Sequence, residues 1–161
     1  MTFRLAAATA DDVPIILSLI KALAEYERLA DRVHASEADL RDALFGARPA
    51  AEVIIAYADD EPVGFALYFQ SFSTFVGRPG LYLEDLFVKP EWRNQGLGRT
   101  LLARLARIAV ERNYGRMEWS VLNWNEMALR VYRAAGARPL NDWTVYRLSG
   151  AELRDLAARD S

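Results

Sequence analysis

Apolar positions along the chain recur with two different spacings, and the alternation between them outlines the elements. Residues 3–8 read as a short strand. Thr9 followed by Asp12 has the spacing of a helix start, in which a hydroxyl and a carboxylate satisfy free backbone N–H groups. Val13, Ile16, Leu17, Ile20, Leu23 and Ala24 then follow helical spacing, which predicts an amphipathic helix over 11–29. Ser36 with Asp39 repeats the start signal ahead of a second helix over 36–45. The spacing changes at residue 52: Glu52–Ala58, an Asp59-Asp60-Glu61-Pro62 turn and Val63–Phe72 read as a hairpin. Leu81–Val88 is apolar on both faces apart from Glu84 and Asp85, as in a central strand. Leu97, Leu101, Leu102, Leu105 and Ile108 mark a long helix to residue 112, and Met117–Leu122 a strand. Asn125 to Ala135 reads as a helix stopped by Gly136, which can take the left-handed cap conformation. Trp143–Leu148 is a final strand and Ala151–Ala158 a short helix. The order β-α-α-β-β-β-α-β-α-β describes a mixed α/β (α+β) domain whose first half is mainly antiparallel.

Composition narrows the classes. A length of 161 residues fits one domain, and 52% hydrophobic residues supply an ample core. Twenty basic and 22 acidic residues leave a charge of -2 without long blocks of one sign, which speaks against broad nucleic-acid binding. There are no cysteines and one histidine, so thiolate metal sites, disulfides, a cysteine nucleophile and multi-histidine metal sites are excluded; no metal is expected. His34 reads as a loop residue. Met1 to Ala8 lacks a basic region followed by a long apolar stretch, and the longest wholly apolar run is Val53 to Ala58. The expectation is a cytoplasmic protein without a membrane partner.

The turn Arg93-Asn94-Gln95-Gly96-Leu97-Gly98 lies between a strand and a helix. The first N–H groups of a helix lack internal partners and carry partial positive charge, and glycine lets an anion approach them closely. The turn is not a P-loop, because Gly98 is followed by Arg99-Thr100 without the lysine, nor a dinucleotide fingerprint, because Leu101 stands where the third glycine belongs. Two glycines alone serve a crowded helix start as well as they serve a phosphate site.

The surrounding segments decide between these readings. Leu81 to Val88, then Trp92 to Gly98, then Asn125-Glu126-Met127-Ala128 and Tyr132 to Gly136-Ala137 resemble the GNAT family of acetyl-CoA-dependent N-acetyltransferases. Leu19 to Glu27, Val63 to Tyr68 and Tyr82 to Asp85 are similar to its diamine (spermidine/spermine, thialysine) branch. The resemblance implies a GNAT fold: a mixed, mostly antiparallel sheet of six to seven strands flanked by helices. It implies acetyl-CoA as co-substrate, a small-molecule amine as acceptor and a homodimer. The backbone of Leu86, Phe87 and Val88 would pair with the pantetheine arm. Arg93, Asn94, Gln95, Gly96, Leu97, Gly98 and Arg99 would form the pyrophosphate cradle. Asn125, Met127, Ala128 and Tyr132 would line the acetyl end. Tyr26, Glu27, Glu84, Asp85, Glu118, Trp119 and Ser120 would face the acceptor. Trp143 matches a branch tryptophan, although the connection from Gly136 is shorter here.

The chemistry assigns roles within that set. An alkyl ammonium with a pKa of about 10.4 is protonated near neutrality and must lose a proton before it attacks. The resemblance makes Glu84 the base, acting through water, and Tyr132 the acid for the departing sulfur. Glu27 sits at the lip of the first helix's apolar face. Glu84 and Asp85 are adjacent, so on a regular strand they face opposite sides; one site can use both only if a bulge intervenes. Two other readings are an acetyltransferase for a protein or peptide amine and a non-catalytic acetyl-CoA-binding regulatory domain.

Overall fold

The computed structural model describes residues 2–160. Five strands form one sheet in the order β1-β2-β3-β4-β5: β1 Phe3–Ala7, β2 Glu52–Ala58, β3 Glu61–Ser73, β4 Arg78–Val88 and β5 Met117–Trp119. The first four are antiparallel, and β5 joins β4 in parallel. Between β1 and β2 lie α1 (Val13–Tyr26) and α2 (Glu37–Phe45); α3 (Leu97–Glu111) links β4 to β5, and α4 (Glu126–Ala134) and α5 (Gly150–Ala157) follow. No helix among the described residues is long and apolar enough to cross a membrane.

Both sheet faces are covered, which accounts for the near-continuous apolar run in β2. Val53, Ile55, Phe65 and Phe87 pack with Val13, Ile16, Leu19 and Leu23 of α1 and with Leu40 and Leu44 of α2. Ile54, Ala56, Ala66, Leu81 and Leu83 pack with Leu97, Leu101, Leu102 and Leu105 of α3 on the opposite face. The helix starts follow their sequence signals with one refinement. Asp12 accepts from the Thr9 backbone N–H at 2.8 Å, but the cap opens a 3-10 turn at Ala10–Asp12 and the α-helix begins at Val13. At α2, Ser36 Oγ accepts from the Asp39 N–H at 3.1 Å while the Asp39 carboxylate accepts from the Ser36 N–H at 2.9 Å. A bidentate Arg112–Glu52 pair, with contacts of 2.7 and 2.8 Å, ties the end of α3 to β2.

The C-terminal part departs from the expectation. The sheet has five strands rather than six to seven, and Trp143–Leu148 is not a strand. Strand β5 stops at Trp119 instead of Leu122. A strand exists only where a neighbour accepts and donates its ladder hydrogen bonds, and residues 143–148 have no such neighbour among the described residues. Trp143, Val145 and Tyr146 are 77%, 84% and 91% exposed.

Candidate active site

The site begins with a defect in β4. Across the β3–β4 ladder Leu67 faces Asp85 and Tyr68 faces Leu83, so Glu84 faces no residue. This bulge shifts the alternation by one. Leu81 and Leu83 before it point toward α3, and so do Leu86 and Val88 after it, while Phe87 points toward α1 and α2. The bulge lets the neighbouring carboxylates of Glu84 and Asp85 line one cavity.

A second irregularity opens the cavity. Strand β5 pairs with β4 only from Leu81 to Leu83, and β4 then runs on to Val88 without a neighbour on that side. The two strands part, leaving a cavity of about 470 Å³. One end is the turn: Asn94 and Gly96 have φ of 63° and 81°, and Gly96 caps the N-terminus of α3. A Cβ at Gly96 or at Gly98 would meet no protein atom within 4 Å, so the protein's own packing leaves that space free. Left-handed backbone, free helix N–H groups and open space together fit a pyrophosphate. The same cavity has an acidic cluster, Glu27, Glu84 and Asp85, in which the first two carboxylates act on the third. Helix α4 presents Met127, Ala128, Val131 and Tyr132 to it. Asn125 caps α4, its Oδ1 accepting from the Ala128 N–H at 3.2 Å. At the far end Gly136 has φ of 93°, and the Ala137 N–H reaches the Tyr132 carbonyl at 3.1 Å.

Burial sets the protonation of the acidic cluster. Asp85 is pushed up to about 7 by burial first, and then by the charges of Glu84 and Glu27. Burial raises Glu27 above the ordinary carboxylate range. Tyr132 is pushed up to about 12 by burial and by Glu27, so at neutral pH it is an un-ionised phenol able to donate a hydrogen bond. Trp119 packs edge-on against its ring, with centroids 5.1 Å apart.

Most of the residues singled out in the sequence meet here: Tyr26, Glu27, Glu84 through Val88, Arg93, Asn94, Gly96 through Arg99, Ser120, Asn125, Met127, Ala128 and Tyr132 all line the cavity. Gln95, Glu118 and Trp119 do not. Glu118 lies opposite Tyr82 in the ladder and 4.0 Å from Arg116, and Trp119 acts from behind Tyr132. Leu23, Trp92, Val121 and Val131 also line the cavity and were not anticipated. Their apolar character suits core and cavity wall equally, so only the parting of β4 from β5 could have marked them.

Residues 18–137 match the family model described as "Acetyltransferase (GNAT) family". The chain is 40% identical over 155 residues to the thialysine N-epsilon-acetyltransferase of Bos taurus, covering 89% of this chain and 91% of the bovine protein. It is 35% identical to the Mus musculus protein of the same name, covering 97% and 98% of the two chains. Among solved structures, an integron cassette protein from the mobile metagenome of V. cholerae superposes with a TM-score of 0.80 at 28% identity, over 98% of each chain. The fold, the turn and the relatives agree, and the chain belongs to the GNAT family of acetyltransferases.

Proposed function

We propose that this enzyme transfers the acetyl group of acetyl-CoA to a primary amine of a small cationic molecule, a polyamine or diamine or a thialysine- or lysine-like amino acid. One observation carries the reading: a single cavity is lined by a phosphate-fitting turn, by three carboxylates and by Tyr132. The curated relatives named as thialysine acetyltransferases support the acceptor class. Three carboxylates suit an acceptor that carries positive charge beyond the reacting amine.

The turn and the α3 N-terminus would hold the pyrophosphate, and the free edge of β4 from Leu86 to Val88 the pantetheine arm. The acceptor enters as an ammonium. Its proton passes through water to Glu84, the freed amine nitrogen attacks the thioester carbonyl carbon, and the carbon–sulfur bond breaks as the amide forms, the nitrogen's second proton passing to the departing thiolate, which leaves as the thiol. The Asp85 carboxyl stands next to that path and, poised near 7, shares the proton load at physiological pH. Tyr132 faces the departing sulfur. With the phenol at about 12 and an ordinary thiol near 8.5, complete proton transfer runs well uphill, so its contribution is a hydrogen bond to the sulfur as charge develops.

We also propose a homodimer. Among the described residues, the segment 143–148 has strand composition without a ladder, and β5 pairs on one edge only. A second copy could supply both missing partners, and with them the strand absent from the sheet.

The test of function is thiol release from acetyl-CoA across a panel of polyamines, thialysine, lysine and lysine-containing peptides. Turnover with the free cationic amines is expected. Turnover with peptides alone would favour a protein acceptor; acetyl-CoA binding without any acetylated product would favour a regulatory domain.

A further inference from the structure

Arg93 opens the glycine turn, yet its side chain is folded back against the protein. Its Nε donates to the Val88 carbonyl at 2.8 Å, and its guanidinium lies over the Tyr26 ring at 4.2 Å and over the Phe87 ring at 5.6 Å. No carboxylate among the described residues pairs with it. A weakly hydrated, planar cation resting on aromatic faces is a stable arrangement for arginine. It fixes the carbonyl at the end of β4 relative to the start of the turn.

Tyr26, the last residue of α1, is the larger part of that seat, and it has a second partner. Its hydroxyl donates to Asn125 Oδ1 at 3.3 Å, the same oxygen that accepts from Ala128 and caps α4. The Trp124 ring stands beside it, 5.8 Å between centroids. Asn125 precedes Tyr132 by seven residues, about two helical turns, so the cap and the phenol lie on one face of α4. One side chain thus touches the turn at the phosphate end of the cavity and the cap of the helix that carries Tyr132.

We propose that Tyr26 is a positioning residue that sets the spacing between the glycine turn and the Tyr132 helix, its ring seating Arg93 and its hydroxyl holding Asn125. This rests on the acetyltransferase reading of the same cavity and differs from the acceptor contact that resemblance implies. Tyrosine suits both tasks because it offers a face to the cation and a donor to the amide oxygen. Phenylalanine would keep the seat and lose the hydroxyl; leucine would lose both.

The experiment uses the full chain, with acetyl-CoA affinity measured by titration calorimetry alongside steady-state kinetics. Tyr26→Phe is expected to lower kcat by about threefold or more with the acetyl-CoA Kd within about twofold. Tyr26→Leu should lower kcat as well and weaken acetyl-CoA by about fivefold or more. Arg93→Ala should weaken acetyl-CoA similarly, and the Tyr26→Leu/Arg93→Ala pair should bind no more weakly than Arg93→Ala alone, because the tyrosine acts through the arginine. Additive losses in the pair would overturn the proposal. So would Tyr26→Phe raising only the KM for the amine at unchanged kcat, which is the signature of an acceptor contact. If the unaltered chain bound acetyl-CoA with normal affinity while Tyr26→Leu did too, the seat alone would fail and the acetyltransferase reading would stand; an unaltered chain that bound none would remove both.

Discussion

Leu101 and Tyr146 come from stretches that look equally regular in sequence, and they end in opposite environments. Leu101, on the inner face of α3, is 0% exposed; Tyr146, in the middle of an expected strand, is 91% exposed. A periodic pattern specifies a face to be buried, not the surface that buries it. Helix α3 finds its surface in the sheet of its own chain, against Ala66, Leu81 and Leu83. Residues 143–148 have apolar side chains and no ladder. Leu101 is buried by its own chain, and residues 143–148 are not.

The largest effect expected lies in the first region. Leu101→Ala removes a fully buried side chain between α3 and the sheet, and should cost about 2–5 kcal/mol of folding stability. Urea denaturation followed by far-UV circular dichroism measures it. A loss below about 1 kcal/mol would mean that α3 is not held by this face.

Two substitutions ask whether the cavity acts as well as it packs. Tyr132→Phe keeps the ring against Trp119 and removes the phenol, so turnover should fall at least about tenfold, or ~1.4 kcal/mol, while acetyl-CoA still binds. Unchanged turnover would remove Tyr132 from the chemistry. Gly98→Ala is the complement. The new Cβ meets no protein atom within 4 Å, so stability should hold or rise slightly, while the KM for acetyl-CoA should climb by about fivefold or more as the methyl enters the ligand's space. Stability loss without a change in KM would return Gly98 to a purely structural role.

These residues also show what the sequence could convey. Elements with a capping signal were legible: α2 from its start at Ser36 and Asp39, and α4 at both ends, from Asn125 to the left-handed Gly136. The glycine turn was legible only together with its neighbours, because two glycines carry no phosphate by themselves. The Glu84 bulge was not legible. The sequence could pose it as the condition for Glu84 and Asp85 to share a site, but a bulge is a relation between two strands, and β3 carries no local mark of the register shift at Leu67 and Tyr68. The end of β5 at Trp119 and the absence of a strand over 143–148 share one reason: strand composition does not specify a pairing neighbour, and the ladder of β5 with β4 ends at Leu83.

Asp85 turns the bulge into a pH-dependent quantity. Its folded pKa, about 7, lies above its ordinary 3.8, so between those values the folded chain keeps a proton that the unfolded chain releases. The contribution to stability is full below pH ~4, declines as pH rises toward ~7, and stays at its low value above that. Asp85→Asn imitates the protonated carboxyl. Without ligands, its Tm should match the unaltered protein near pH 4 and exceed it by about 2 °C or more at pH 8. An offset that is the same at both pH values would mean that packing, rather than the burial of charge beside Glu84 and Glu27, accounts for the change.

The smallest effect on the single chain should come from Tyr146→Ser. An exposed side chain with no ladder contributes little to its own fold, so urea denaturation at low protein concentration should shift by less than about 0.5 kcal/mol. The informative readout is the association state. If residues 143–148 complete a sheet on a second copy, serine there removes apolar contact that exists only in the dimer, and light scattering should show dissociation at concentrations where the unaltered protein remains paired. Folding stability of the unaltered dimer should then depend on protein concentration, and that of the variant should depend on it less. An unaltered protein that is monomeric at high micromolar concentration would leave the C-terminal segment without a partner of its own kind, and the difference between Leu101 and Tyr146 would need another occupant to explain it.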